Sequence, residues 1–244
     1  MNLGAQSAAA ASNPWDPRPV LIVTGLIQEA RIAAGPGLTV VCSSSDPKQL
    51  RVLLSDMDFR AVRGVVSFGV AGGLDPKLRS GDIVVASEVR AGDRRWSTAL
   101  EFSEELLADA GFGGRRVVRG GLVGSEQVVG TRHVKAALHA KTGAAAVDME
   151  SHIAAHYAHE AGLPFAALRV VSDPATRELP AVVSTAIKPN GNIDVRKVLR
   201  GVARNPASIK ALVSTGLDFN RALRSLRGCR GVMLDVGGLV SVNL

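Results

Sequence analysis

Residues Phe165–Val171, FAALRVV, are apolar at every position but one. A strand with one face in water alternates apolar and polar side chains, and this run does not. It reads as a strand buried on both faces, the kind found in parallel sheets covered by helices. Other stretches repeat the theme: Pro19–Ile27 (PVLIVTGLI), Leu38–Cys42, Val62–Val70, Ile83–Ala86 and Val117–Val123. Helix signals lie between them. Asp46-Pro47 supplies a cap and a first-turn proline, and Leu50, Leu53, Leu54 and Met57 follow at helical spacing. Further helices are expected from Gln28–Arg31 onward, over Ser97–Ala110, over Thr131–Lys141 and over His152–Ala161, the last capped by Ser151. This alternation predicts an α/β fold: a single domain with a mostly parallel central sheet flanked by helices on both faces. Residues 1–18 read as a flexible leader. Residues 19–244 read as the domain, ending in a basic helical segment with a last helix over about Ala207–Leu226.

The hydrophobic fraction, 46%, suits a globular core, and the longest apolar runs are too short to cross a bilayer as a helix. Cys42 and Cys229 have no metal-binding or redox spacing and are expected as reduced thiols. Net charge is +7, and it is concentrated late. From Lys188 to Arg230 there are ten Lys or Arg against two Asp. Such a segment suits an anionic membrane or plain solubility; nucleic-acid binding is not expected, because aromatic interleaving and a known module are both lacking. The five histidines are scattered on predicted helices without metal or triad spacing.

In parallel sheets, ligands sit beyond the carboxyl ends of the strands. Two carboxylates fall there. Glu150 follows the short apolar run Ala144–Val147, and Asp173 ends the run Phe165–Val171. Asp148 lies two residues before Glu150, so both point the same way if strand pairing extends that far. A glycine-rich turn, Gly69–Gly73, ends another strand and could cradle an anion with its N–H groups.

Three separated motifs carry a resemblance. SFGVAGGLDPKLRSGDIVVASEV (Ser67–Val89), AVDMES (Ala146–Ser151) and RVVSDPA (Arg169–Ala175) resemble, in order and spacing, the motifs of the nucleoside phosphorylase and nucleosidase superfamily. The likeness spans roughly Pro19–Ala175. The SFGVAGG variant, the TGLIQEA opening and the basic end are most like the hopanoid-associated branch, whose members are thought to release adenine from adenosylhopane.

The resemblance implies cleavage of the N-glycosidic bond of a purine nucleoside. Asp173 would be the general acid to purine N7, held by Ser172. Glu29 would position the attacking water. Glu150 would hydrogen-bond a ribose hydroxyl, Met149 would lie against the ribose, and Gln127 and Val128 would contact the purine. Val70, Ala71 and Gly72 of the turn would line the substrate site. Two departures matter. Ser67 and Val70 stand where hexameric phosphorylases have an arginine and a hydroxyl residue for phosphate, leaving Arg31 or Arg90 to substitute. The aromatic many relatives carry near Gln127 is also absent. Hydrolysis is therefore favoured over phosphorolysis, in which inorganic phosphate would be co-substrate. A non-catalytic nucleoside-binding or membrane-docking protein is the third reading. The resemblance implies no metal or organic cofactor, a homo-oligomer, and a cytoplasmic enzyme in peripheral contact with the membrane if its nucleoside is lipid-linked.

Overall fold

The computed structural model describes residues 16–100, 103–104, 114–180 and 209–232. The chain alternates as expected. Strand β1 (Val20–Thr24) leads to helix α1 (Ile27–Ala33), β2 (Leu38–Cys42) to α2 (Pro47–Ser55), and a 3-10 turn at Phe59–Ala61 to β3 (Gly64–Gly73). Then come β4 (Ile83–Ala91), β5 (Arg94–Ser97), β6 (Val117–Gly124), α3 (Arg132–Thr142), β7 (Ala146–Asp148), α4 (Ser151–Glu160), β8 (Phe165–Asp173) and α5 (Ile209–Gly228). Most of the predicted leader, most of the predicted helix over Ser97–Ala110, the start of the basic segment and the last residues lie outside the described residues.

The strand order is β2-β1-β3-β7-β6-β4-β5, and β8 pairs with both β3 and β4. Strands β3, β7, β6, β4 and β8 therefore close into a ring, extended by β1 and β2 on one side and β5 on the other. The pairs β1–β2, β1–β3, β3–β8, β4–β6 and β6–β7 are parallel. The pairs β3–β7, β4–β8 and β4–β5 are antiparallel. The sheet is thus mixed, with parallel pairs in the majority.

The core has two main layers because β1, β3 and β8 alternate their side chains between faces. Val20, Ile22, Phe68, Leu168 and Val170 face α1 and α5, where Ile32, Ala222, Leu223 and Leu226 meet them. Leu21, Val23, Val65, Ala167 and Val171 face α2 and α4, where Leu50, Leu54, Ile153 and Ala154 meet them. Each fully buried Val, Leu, Ile or Phe among them contributes about 1.5–3 kcal/mol. Helix α2 starts as its sequence says: Asp46 accepts from the N–H of Lys48 at 2.8 Å and of Gln49 at 3.3 Å.

Two local expectations are corrected. Strand β4 runs on to Ala91 and turns back as β5, so Ser97 ends a strand and does not start a helix. Arg94 and Arg95 hide that strand, because an exposed edge needs no apolar pattern. Ser151 does not cap α4. Asp148 does, accepting from the N–H of Glu150 at 3.0 Å and of Ser151 at 2.8 Å.

Candidate active site

One cavity of about 390 Å³ opens where the carboxyl ends of β3, β7 and β8 meet the start of α1 and the side of α5. Every residue that the resemblance gave a role toward the nucleoside or the attacking water lines it. Glu29 comes from α1, and Val70, Ala71 and Gly72 from β3. Gln127 and Val128 come from the loop after β6, Met149 and Glu150 from the β7–α4 junction, and Ser172 and Asp173 from the end of β8.

Under the cavity floor lies Arg169, fully buried. Its Nε meets Asp148 Oδ2 at 2.8 Å, and its Nη2 lies 3.5 Å from Glu150 Oε2. Nη2 also donates to Ser67 Oγ at 2.6 Å, and Nε to Ser151 Oγ at 3.2 Å. So the one charged residue of the apolar run Phe165–Val171 is a counter-ion for the carboxyls above it. Burial pushes Glu150 up to about 8, against the pull of Arg169, with Asp148 and Glu29 adding to the rise.

Glu29 lies in a nest of backbone donors. Its Oε2 accepts from the N–H of Gly25 and of Leu26, each at 2.8 Å, and its Oε1 from the N–H of Val70 at 2.8 Å. Burial raises its proton affinity, and Arg169 and the three N–H groups oppose the rise. Two glycines make room for these carboxyls. A Cβ on Gly69 would stand 2.7 Å from Glu29 Cδ and 2.6 Å from Arg169 Nη1, and one on Gly25 would stand 2.6 Å from Glu150 Oε1. The glycine-rich turn thus holds the protein's own carboxylate.

Asp173 is brought into the cavity by an irregularity. Ala71 pairs with Val171 but Gly72 with Asp173, so Ser172 is the extra residue of a bulge. A bulge re-aims the side chain beside it. Ser172 Oγ donates to Asp173 Oδ1 at 2.7 Å, and Lys135 Nζ meets Asp173 Oδ2 at 2.5 Å. Burial raises Asp173 above the usual carboxylate range, while Lys135 and Ser172 pull it down. Glu29 lies against Gly69 and Asp173 against Gly72.

The loop carrying Gln127 and Val128 is clamped at Glu126. Arg51 of α2 pairs with it, and His152 Nε2 of α4 lies 2.9 Å from its Oε1. The two hold Glu126 at about 2, below the usual carboxylate range.

A model of the phosphorylase superfamily matches residues 23–211. The chain belongs to that superfamily. Solved structures similar to this member of the phosphorylase superfamily include futalosine hydrolase of Helicobacter pylori, at 16% identity and TM-score 0.66, covering 90% of this chain and 98% of that one. The 5′-methylthioadenosine/S-adenosylhomocysteine nucleosidase of Helicobacter pylori matches at 16% identity and TM-score 0.63, covering 90% and 97%. The corresponding nucleosidase of Neisseria meningitidis, in complex with methylthio-immucillin-A, matches at 18% and TM-score 0.61, covering 89% and 96%. At these identities they share the superfamily fold with this chain.

Some residues of this superfamily member's site were not read from the sequence. Arg31 and Arg90, the cations expected to replace missing phosphate ligands, do not line the cavity, and Arg90 is paired with Glu88 at 2.5 Å. Among the described lining residues there is no Lys or Arg. Gln28 lines the cavity, and its Oε1 is buried without a hydrogen-bond partner. Leu212, Thr215, Gly216 and Phe219 of α5 form a wall that local pattern could not assign to the site. Lys135 has a faint signal: it shares a helix face with Leu138, which packs on the core around Leu74 and Val147. Among the described residues, no group of three or more His, Cys, Asp or Glu is placed to hold a metal ion.

Proposed function

We propose that the protein hydrolyses the N-glycosidic bond of a purine nucleoside. The observation that carries this reading is the Glu29 carboxylate in the N–H nest. Those donors would otherwise suit an anionic co-substrate. Filled by Glu29, and with no cation among the described lining residues, they suit water instead. Breaking C1′–N9 sends the bonding electrons to the base, and a proton from Asp173 to N7 makes the base a better leaving group. Water adds to C1′ and gives up a proton to Glu29. A carboxylate whose proton affinity is raised by burial is the better base for that step. Burial raises the proton affinity of Glu150, and in its protonated form it can both donate to and accept from a ribose hydroxyl. The nucleosidase names of the similar structures support the same bond.

The test is incubation with adenosine-type nucleosides, with and without inorganic phosphate, assaying base and sugar. Base released at the same rate in both, with an unphosphorylated sugar, is the expected result. Phosphate-dependent release with sugar 1-phosphate would make the enzyme a phosphorylase. Tight nucleoside binding without release would make it a binding protein.

A finer reading follows from α5. Its inner face walls the cavity, while Ile209, Val213 and Leu217, four residues apart, are 46%, 57% and 61% exposed. Further along, Arg221, Arg224 and Arg227 are exposed as well. An apolar stripe beside a basic one suits an anionic membrane surface, where each basic residue contributes about 1 kcal/mol. The substrate would then be a nucleoside linked to a lipid, of which adenosylhopane is the candidate. No helix among the described residues is long and apolar enough to cross a membrane, so contact would be peripheral. Co-sedimentation with anionic vesicles, fading with salt and with the triple change Arg221→Gln, Arg224→Gln and Arg227→Gln, is expected. No binding to anionic vesicles at low salt would overturn it.

A further inference from the structure

Lys135 is a buried cation to which the proposed reaction gives no role. It is fully buried, while Val134 beside it on α3 is 44% exposed. Helix α3 thus turns a charged side chain inward and an apolar one outward, the reverse of what stability alone favours. An ammonium is buried only where its donors are used. Nζ meets Asp173 Oδ2 at 2.5 Å, the carbonyls of Pro174 at 3.2 Å and Arg177 at 3.3 Å, and that of Asp173 at 3.4 Å. All four contacts converge on the end of β8 and the chain just after it.

We propose that Lys135 is a positioning residue that fixes the Asp173 carboxyl toward the purine and sets the pH range in which it can act as an acid. This rests on the reading of Asp173 as the proton donor. Lys135 takes one oxygen of Asp173 and Ser172 the other, so the carboxyl cannot rotate away. The charged groups around Asp173 divide by element. Helix α3 supplies Lys135. Helix α5 supplies Asp218, which raises Asp173 and is itself held by Arg177, whose Nη1 lies 2.6 Å from its Oδ2. Strand β3 sets Gly72, which carries no charge, against the carboxyl. Against burial and Asp218, Lys135 is the cation in contact with the carboxyl. Without it, Asp173 would keep its proton too firmly to give it to N7.

The sign follows. Activity needs protonated Asp173 and is lost as pH rises through its folded-state value. Removing the Lys135 charge raises that value, so the alkaline limb of the kcat profile moves up, by about one unit or more. Lys135→Met and Lys135→Gln should both show this, together with a lower plateau kcat. A fall in kcat or Tm with the limb unmoved would overturn the proposal. A second readout does not need activity. In ¹³C NMR, the Asp173 carboxyl carbon, assigned by its loss in Asp173→Asn, should titrate higher in either Lys135 variant than in the parent. Should neither variant fold, the parent protein still decides. Its Lys135 Nζ resonance should move at the same pH as the Asp173 carboxyl carbon, and unrelated titrations would overturn the pairing. If the protein released no base, the proposed function would fail while these NMR measurements still judged Lys135.

Discussion

Replacing Asp173 with Asn is expected to slow base release by about a hundredfold or more. The amide can still hydrogen-bond N7 but has no proton to deliver. The fold should persist, because the amide oxygen can still accept from Lys135 Nζ while its NH2 donates to Ser172 Oγ, and KM should change far less than kcat. A substrate with a good leaving group sharpens the test. A nitrophenyl riboside departs without protonation, so the variant should cleave it at close to the parent rate. Equal losses on both substrates would show that Asp173 holds the site together and does not act as the acid. Near-parental turnover of the purine nucleoside would remove it from the chemistry altogether.

The largest effect on stability is expected at Arg169. It is fully buried, with Asp148 at 2.8 Å, Glu150 at 3.5 Å and Glu29 close by. Arg169→Met would leave buried carboxyls without their cation, a loss of about 3–5 kcal/mol. The loss should depend on pH. Without Arg169 the folded carboxyls bind protons more tightly than the unfolded ones do. Stability then falls as pH rises, where the unfolded state binds fewer protons. The parent shows a milder form of the same trend. Glu150 is raised to about 8, so its contribution is full below the ordinary carboxyl range and is lost as pH rises through about 8. Urea unfolding at about pH 5 and about pH 8.5 checks both, with the variant's deficit larger at the higher pH. A variant as stable as the parent at both would mean that the carboxyls do not lean on Arg169.

Much of this was legible because it is local. Asp46-Pro47 announces α2, and the apolar run Phe165–Val171 announces a strand covered on both sides. The motifs around Asp148, Glu150 and Asp173 identified residues that do meet in one cavity. What escaped reading is what depends on partners far along the chain. The antiparallel pairs β3–β7 and β4–β8 leave no mark in either strand, since a buried strand looks the same beside a parallel or an antiparallel neighbour. Ser151 looked like a cap by residue type, but Asp148 is better placed to accept from the first N–H groups. Lys135 carries a surface residue's identity at a core position, so only its partner, 38 residues away, explains it. The α5 wall is the same kind of case: Phe219 is an ordinary helix residue until the fold brings it to the cavity that Val70 and Met149 also line.

The closed ring of strands has a consequence for how this protein can change. Each of its five strands is held on both sides, so an added or deleted residue within one cannot be absorbed at an edge. A one-residue slip would turn every side chain of that strand to the other face. For β8 it would exchange Arg169 for a neighbour and carry Asp173 away from Lys135. Apart from single-residue bulges such as those at Ser172 of β8 and Ser87 of β4, length variation is therefore expected in the connections and in β2 and β5, which have one neighbour each among the described strands. Over long divergence the spacing from Arg169 to Asp173 should stay constant while the loops around it grow and shrink.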